Sequence, residues 1–170
     1  MKQPIHIVWF KRDLRVTDHA PLAHAVGNGI PVLPIYVIEP EYWQQNFASR
    51  RHWSFIRDCL IDLREDTTAL GQPLMVREGE VCDVFQRIAS KYSIKGIFSH
   101  EECGNDWTYQ RDKKVIQWCT SNNIPLHEFP HNGVVRGLKS RDHWSSIRNA
   151  RMAKPVIPSP SSIPPLVAES

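Results

Sequence analysis

Short apolar runs alternate with amphipathic helical patterns along the first 130 residues, and this alternation restricts the fold more than any other feature. Five runs have the length and composition of buried strands, at residues 5–10, 32–38, 74–76, 94–99 and 124–129. Four helical patterns lie between them: one after Thr17-Asp18, one beginning near Ser49, and two at 81–89 and 106–122. Strands that alternate with helices form parallel sheets through right-handed crossovers. The sequence therefore predicts a doubly wound, Rossmann-like α/β domain over residues 1–130, a five-stranded parallel sheet with helices on both faces.

Doubly wound folds bind ligands beyond the carboxyl ends of their strands, so we expect a site in the loops at 9–18, 38–47, 77–81 or 99–107. The first loop has neither GxGxxG nor the P-loop pattern, which argues against a dinucleotide or Walker-type phosphate site. It instead brings together three cations and two acids: Lys11, Arg12, Asp13, Arg15 and Asp18. These charges fit a ligand site, but they equally fit a surface ion-pair network that holds neighbouring loops.

The loop after the fourth strand is rich in polar side chains. His100, Glu101, Glu102 and Cys103 follow one another there, but adjacent side chains at a strand end point in alternate directions and no second His or Cys group has supporting spacing. We therefore expect no metal. A polar pocket with Trp107 as an aromatic wall fits a planar, hydrogen-bonding ligand better.

No pattern of nucleophilic catalysis is evident, since GxSxG is absent and no Ser/His/Asp order has a supporting context. Trp53 and Phe85 lie on helical stripes and are expected in the core. Five scattered histidines are expected to be surface or satisfied core residues: His19, His24, His52, His127 and His143.

Composition is typical of one soluble domain. The 170 residues are 41% hydrophobic and 23% charged, and the net charge of +3 is too small to indicate nucleic-acid binding. With no long apolar stretch and no secretory signal in the sequence, we expect no membrane association and a cytoplasmic protein. The cysteines lack metal-type spacing and are expected as reduced thiols in or near the core: Cys59, Cys82, Cys103 and Cys119.

The character of the chain changes after residue 130. Residues 131–154 form a basic segment in which six Lys and Arg residues accompany one acid, Asp142. Within it, Arg136, Arg141 and Arg148 are candidates for contact with DNA phosphates or another domain, although a solvated basic helix face is an equally good interpretation. Residues 155–170 contain five prolines and four serines, which predicts a semi-extended linker without helix or strand.

Several motifs match one protein family in chain order. Residues 9–19 read WFKRDLRVTDH directly after the first strand, and residues 37–40 read VIEP after the second. The match continues through four further segments, at 99–112, 133–136, 141–144 and 152–155. Together they resemble the DNA photolyase/cryptochrome family over nearly all of residues 5–155.

This resemblance implies a division of labour between two domains. In the family, an N-terminal α/β domain carries an antenna chromophore, which is a folate, a deazaflavin or a flavin. A helical C-terminal domain binds the redox-active FAD and most of the DNA. We therefore expect the FAD domain of the same parent protein to be the partner of this chain, and we expect DNA contact to occur through the parent. We also expect a monomer whose own residues are not catalytic.

The resemblance also implies a chromophore pocket, with walls from the first and fourth loops: Trp9, Phe10, Lys11, Arg12, Glu101, Glu102, Asn105 and Trp107. Lys11 or Arg12 would meet a glutamyl or phosphate group, and Glu101 or Glu102 would accept hydrogen bonds from ring N–H groups. Asn105 stands near a position where several relatives carry an acid, and the segment directly after Trp43, Gln44-Gln45-Asn46, contains no histidine, so the identity and occupancy of the antenna are left open. Arg15 and Asp18 are interpreted as structural, with Asp18 capping the first helix.

The function implied is that of the antenna domain of a deoxyribodipyrimidine photolyase, whose parent repairs UV pyrimidine dimers by light-driven electron transfer from FAD. The same domain of a cryptochrome photoreceptor without repair activity is the alternative. An unrelated nucleotide-binding α/β module is a more distant one.

Overall fold

A computed structural model describes residues 1–167 and contains five strands and six helices. The strands are β1 Pro4–Phe10, β2 Val32–Ile38, β3 Met75–Glu78, β4 Ser93–His100 and β5 Leu126–Phe129. The helices are α1 Ala20–Val26, α2 Pro40–Trp43, α3 Arg50–Ala69, α4 Val81–Lys91, α5 Asp106–Ser121 and α6 Trp144–Met152. All strand pairs are parallel, and the strand order is β3-β2-β1-β4-β5. The predicted doubly wound α/β fold is confirmed.

The central strand β1 is buried on both faces, which explains why its sequence is almost continuously apolar. Ile5, Ile7 and Trp9 face one apolar layer, which α4 and α5 cover. Val8 and Phe10 face the opposite layer, which α1 and α3 cover. A strand buried on both faces needs apolar residues at odd and even positions alike. Each such buried side chain contributes roughly 1.5–3 kcal/mol to folding. The strand β1 therefore lies between the two apolar layers and contributes to both.

The first helix begins later than the sequence indicates. Its N-cap is His19, whose Nδ1 accepts a 3.1 Å hydrogen bond from the Leu22 amide. Asp18 has a φ of 52° and lies outside the helix, where its Oδ1 accepts from the Ile157 amide at 3.3 Å. The expectation that Asp18 caps the helix is wrong because the backbone turns left-handed at Asp18, one residue before the cap. Arg15 does hold this loop, since its guanidinium donates to the carbonyl oxygens of Thr17 and Asp18 at 3.0 and 2.9 Å.

The predicted cap at Ser49 and the predicted core position of Phe85 are confirmed, whereas the predictions for Trp53 and Cys103 are wrong. Ser49 caps α3, and its hydroxyl accepts from the His52 amide at 3.2 Å. Phe85 is fully buried as expected, whereas Trp53 is only half-buried because it packs edge-on against Trp43, outside the two core layers. All four cysteines are free thiols, but Cys103 is exposed, so the expected place in or near the core is wrong for this one.

The proline-rich segment returns to the α/β core. No helix or strand forms over 155–167, yet Ile163 is 1% exposed and belongs to the apolar layer of α1 and α3. Its amide donates to the Leu70 carbonyl at 2.7 Å, and the first amide of β2 donates to the Pro164 carbonyl at 2.9 Å. Gly71, with a φ of 109°, permits this approach because a Cβ there would lie 3.2 Å from the Ile163 oxygen. These contacts make the segment part of the packed domain.

Within residues 1–167, none of the helices combines the length and apolar composition needed to cross a lipid bilayer.

Candidate ligand-binding site

A cavity of about 270 Å³, here called the aromatic cavity, opens beyond the carboxyl ends of β1 and β2. The loops after these strands, α2, the start of α3 and the start of α5 supply its walls. Its lining is largely aromatic and aliphatic, with a few charged groups: Trp9, Phe10, Lys11, Arg12, Tyr36, Val37, Glu39, Tyr42, Trp43, His52, Phe55, Ile56, Glu102, Thr108 and Arg111. A concave apolar surface with a few polar groups is typical of sites that bind planar organic ligands.

The short helix α2 positions the aromatic side of this cavity. Glu39-Pro40 ends β2, and Pro40 starts α2 because its ring presets a helical φ. Tyr42 packs edge-on against Trp43 and Trp107, with ring centroids 5.2 and 5.3 Å apart. Sequence reasoning marked the segment 38–47 as a ligand loop but missed Tyr42 and Trp43. Their signal was two adjacent aromatic residues after a strand end.

Arg111 of α5 forms the charged side of the cavity. Its guanidinium donates to Glu39 at 2.8 Å, to Asp112 at 3.0 Å and to Glu102. It also lies over the Trp9 ring, 5.0 Å from the centroid. Burial would lower the pKa of Arg111, but the three carboxylates raise it above its ordinary value. Arg111 therefore stays charged and holds the ends of β2 and β4 against α5.

For Glu39, the effect of burial on the pKa outweighs that of the neighbouring charge. Burial raises the pKa of Glu39 to about 7, and the neighbouring Arg111 charge only partly opposes this effect. The Glu39 side chain is 10% exposed, so water does little to stabilise its charge. The wall of the aromatic cavity thus contains a group that titrates near neutral pH.

Lys11 and Arg12 are adjacent in sequence but differ in their exposure to solvent. Lys11 is buried, with its Nζ 3.5 Å from Asp112 Oδ2 and 4.5 Å from the centroid of the Trp9 ring. The Arg12 side chain is 52% exposed and lies 3.6 Å from Glu102. Arg12 is therefore a rim residue, whereas Lys11 belongs to the interior of the site.

A second cavity of about 170 Å³, here called the polar cavity, adjoins the first. It lies beyond the ends of β1 and β4, where the chain connections diverge to opposite sides of the sheet, the usual ligand position in this architecture. Most of its lining residues are charged or polar: Lys11, Arg12, Asp13, His100, Glu101, Glu102, Cys103, His131 and Asn132.

Asp13 ties β1 to β4 at the base of the polar cavity. Its Oδ2 accepts from His19 Nε2 at 2.8 Å and from His100 Nδ1 at 2.6 Å, and its Oδ1 accepts from the Lys11 amide at 2.8 Å. Burial would raise the pKa of Asp13, but these hydrogen bonds hold it well below its usual range. Burial lowers the pKa of His19, against the influence of Asp13, so His19 is neutral.

The Asp13, His19 and His100 atoms lie within 4.8 Å of one another, as metal ligands would. The hydrogen bond from Leu22 to His19 Nδ1 nevertheless requires the ring proton on Nε2, where it is donated to Asp13. A metal at Nε2 would move that proton to Nδ1, against the Leu22 N–H. The contacts therefore describe a hydrogen-bonded cluster rather than a metal centre.

The structure separates the eight residues predicted for the chromophore pocket into three groups. Five line the aromatic cavity: Trp9, Phe10, Lys11, Arg12 and Glu102. Glu101 lines only the polar cavity. Asn105 and Trp107 line a third cavity of about 530 Å³, which shares Glu39 and Arg111 with the first. Asn105 caps α5, its Oδ1 accepting from the Thr108 amide at 3.1 Å, so this side chain already has a structural partner.

The three candidate arginines of the basic segment have different surroundings. Arg136 lies beside the site: it donates to the Glu102 carbonyl at 2.6 Å and to Glu128 at 3.1 Å. Arg141 and Arg148 are exposed, and neither forms an ion pair with residues 1–167. Arg136 therefore holds the backbone at Glu102 from outside the cavities, and the other two present free charge to solvent.

A sequence model of the DNA photolyase family matches residues 6–143. Cryptochrome DASH from Synechocystis sp. is 32% identical over 148 residues, which cover 84% of this chain and 27% of that protein. The solved structure of a Synechocystis cryptochrome aligns with a TM-score of 0.82 at 22% identity, covering 97% of this chain and 38% of the other.

An archaeal photolyase from Sulfolobus tokodaii, solved with two FAD molecules, aligns with a TM-score of 0.75 at 24% identity, covering 93% of this chain and 37% of that one. The chain thus spans 27–38% of the length of these relatives. Since the family match covers most of the sequence and the fold agrees, this chain belongs to the DNA photolyase family and corresponds to the N-terminal α/β domain of its photolyases and cryptochromes.

Proposed function

We propose that this chain is an antenna domain, whose aromatic cavity binds a planar chromophore that absorbs light and passes the excitation to FAD in a helical domain of the parent protein. The observation that carries the proposal is the aromatic cavity itself, with Trp9, Tyr42 and Trp43 around a concave site of about 270 Å³. Excitation transfer needs a ring held in one orientation, and rigid aromatic walls provide it at little entropic cost.

The Arg111 network supports this role. Arg111 is paired with Glu39, Glu102 and Asp112, so the charged wall is organised before a ligand enters. The chain's residues would bind and orient the chromophore, which itself supplies the light absorption.

The second FAD of the Sulfolobus tokodaii photolyase, described as implying a novel light-harvesting cofactor, supports a flavin among the candidates. A folate or a deazaflavin fits the same planar, aromatic-lined space. For the parent, we propose a deoxyribodipyrimidine photolyase that repairs pyrimidine dimers by electron transfer from FAD. The alternative is a cryptochrome photoreceptor, which the cryptochrome DASH relative favours.

The test is to identify the chromophore that the chain binds. The purified 170-residue protein is examined by visible absorption, and any released ligand is identified by mass spectrometry. It is then titrated with FMN and with folic acid while tryptophan fluorescence is recorded. Failure to bind any flavin, deazaflavin or folate would overturn the antenna assignment.

Matched tryptophan variants place the binding site. Trp43→Leu removes part of the cavity wall and is expected to weaken chromophore binding by about tenfold. Trp144→Leu makes the same chemical change in α6, away from the cavity, and should leave the affinity unchanged. Equal effects of the two substitutions would contradict binding in the aromatic cavity.

A further inference from the structure

His131 attaches the start of the basic segment to the first loop. Its Nε2 lies 3.3 Å from Arg15 Nη1. A guanidinium has donors and no acceptor, so Nε2 must accept this hydrogen bond and the ring proton must be on Nδ1. The contact therefore requires a neutral His131 ring.

Arg15 connects this contact to the far end of the basic segment. Its guanidinium also donates to the carbonyl oxygens of Thr17 and Asp18. The Asp18 amide donates to the Ile157 carbonyl at 2.7 Å, and Asp18 Oδ1 accepts from the Ile157 amide at 3.3 Å. The chain is thus anchored on one loop both where the basic segment begins and just after it ends.

Between these anchors the basic segment folds on itself. Arg151 Nη1 donates to the Val134 carbonyl at 2.7 Å, and Trp144 Nε1 donates to the Gly133 carbonyl at 3.2 Å. Arg136 supplies a further attachment to the α/β core. The segment is therefore a small folded unit that its anchors hold against the core.

The groups around His131 disfavour a second ring proton. The ring stacks on that of His100, with centroids 4.8 Å apart and an interplanar angle of 21°, and Arg15 carries a permanent positive charge. Asp13 would favour a protonated His131, but its oxygens already accept from two other histidines and the Lys11 amide. Burial and the His100 ring lower the pKa of His131, and Asp13 opposes them only in part. The other titratable or charged groups that face His131 or line the same cavity are Lys11, Arg12, His19, Glu101, Glu102 and Cys103.

We propose that His131 is a pH-sensitive latch: protonation of its ring releases Arg15 and frees the start of the basic segment from the first loop. A proton on Nε2 would point at the Arg15 donors, so repulsion between two cations would replace the hydrogen bond. His131 and Asn132 also line the polar cavity, so release opens that cavity on this side. The latch needs no bound chromophore and does not rest on the antenna function.

Acidification is the expected trigger. The closed form holds the pKa of His131 below the ordinary value of 6.5, whereas the released form regains that value. Below pH 6.5, each unit of acidification therefore favours the released form by up to about tenfold, until the ring is protonated in the closed form as well.

Amide hydrogen exchange of the 170-residue chain measures the release. Protection factors, which correct for the intrinsic effect of pH on exchange, are compared at about pH 8 and about pH 5. Those of the Asp18 and Val134 amides, on the two sides of the latch, should fall by about tenfold in acid. The Ile97 amide, which donates to the Pro125 carbonyl in the sheet, reports the stability of the core, and its protection should fall by less.

Matched variants locate the effect at His131. Glutamine accepts a hydrogen bond through its side-chain oxygen and does not titrate, so His131→Gln should keep the protection at neutral pH and lose the acid effect. His143→Gln makes the same change at an exposed histidine of the basic segment, whose side chain does not cap α6, and should retain the acid effect. An NMR titration of the His131 ring protons in the unmodified protein needs no variant and should give a pKa below 6.5.

Three results would overturn the latch. The first is an acid effect that persists in a folded His131→Gln protein, and the second is a pKa of His131 at or above 6.5 in the unmodified protein. The third is constant protection of the Asp18 and Val134 amides while His131 titrates, because the ring would then gain its proton without releasing Arg15.

Discussion

Arg111 Nη1 donates a 2.8 Å hydrogen bond to Glu39 Oε2, joining α5 to the end of β2 across 72 residues of sequence. Both side chains are buried, at 9% and 10% exposure. A buried ion pair contributes little net stability, but removal of one partner is costly because the other charge remains without compensation. The pair is therefore expected to be sensitive to single substitutions.

Arg111→Met is expected to lower the free energy of unfolding by about 3–5 kcal/mol, because it leaves buried carboxylates without their counter-charge. Urea denaturation followed by circular dichroism measures the change. Arg57→Met makes the same substitution in an exposed pair with Asp58 and should cost less than about 0.5 kcal/mol. Similar values for the two variants would show that the Arg111 network is not a coupled buried cluster.

Stability should depend on pH through Glu39. The ordinary carboxyl pKa is 4.5, and burial raises that of native Glu39 to about 7. Between these pH values the native state holds a proton that the unfolded state has released. The contribution of Glu39 to the free energy of unfolding therefore falls as pH rises, by up to about 3 kcal/mol. Glu39→Gln cannot titrate. The difference in unfolding free energy between the natural protein and this variant should therefore fall from pH 4.5 to pH 7, and a constant difference would contradict the assignment.

Ile163 tests whether the proline-rich segment belongs to the domain. Ile163→Ala should lower the free energy of unfolding by about 2–5 kcal/mol, since it leaves a cavity in a packed layer. Val156→Ala removes apolar atoms from a side chain that is 68% exposed, and its effect should stay within about 0.5 kcal/mol. Thermal and urea unfolding measure both. A linker that only passes over the surface would give equal, small effects.

Arg141 and Arg148 are expected to give weak, salt-sensitive contact with DNA phosphates. Retention on an immobilised oligonucleotide should fall when both are replaced by alanine, and the slope of affinity against salt should become shallower by about one unit per lost contact. The control for net charge is the double variant Lys95→Ala/Lys113→Ala, which removes two exposed lysines outside the basic segment. Unchanged retention of the double variant would remove the DNA interpretation and leave a solvated basic face.

The purified 170-residue chain should not repair thymine dimers under blue light. Its described cavities provide ring-binding walls, whereas in the proposed scheme repair needs electron transfer from FAD on another domain. Repair is measured as the loss of dimers from an irradiated oligonucleotide, with a full-length photolyase as the positive control. Light-dependent repair by this chain alone would contradict the proposed division of roles.

Local sequence signals predicted most of the secondary structure. The apolar runs and the 3.6-residue periodicities located all five strands and the helices α1, α3, α4 and α5, but not α6, because both signals arise from neighbouring residues that face one layer. The helix cap at Asp18 was mispredicted because the left-handed turn there depends on contact with Ile157, which is 139 residues away. The short α2 carries too few residues for a periodic signal.

The residues that line the aromatic cavity were predictable only in part. Trp9 to Arg12 lie at the carboxyl end of the central strand β1, and any ligand at the carboxyl edge would meet them. Tyr42 and Trp43 were harder to assign because adjacent aromatic residues are equally compatible with core packing. Arg111 appeared in the sequence only within the matched segment 99–112, and its role depends on the carboxylates of Glu39 and Glu102, which other loops supply.

The sequence by itself determined the α/β architecture, the family and the strand ends at which a site would form, since each follows from local patterns and motifs. Tertiary structure decided which side chains share that site. Asp13 and His100 are 87 residues apart and meet because β1 and β4 are neighbours in the sheet. Ile163 enters the core because the chain folds back over Gly71. Such contacts depend on strand order and chain reversal, which no local preference specifies, and they bring charges that are scattered in the sequence into one cluster.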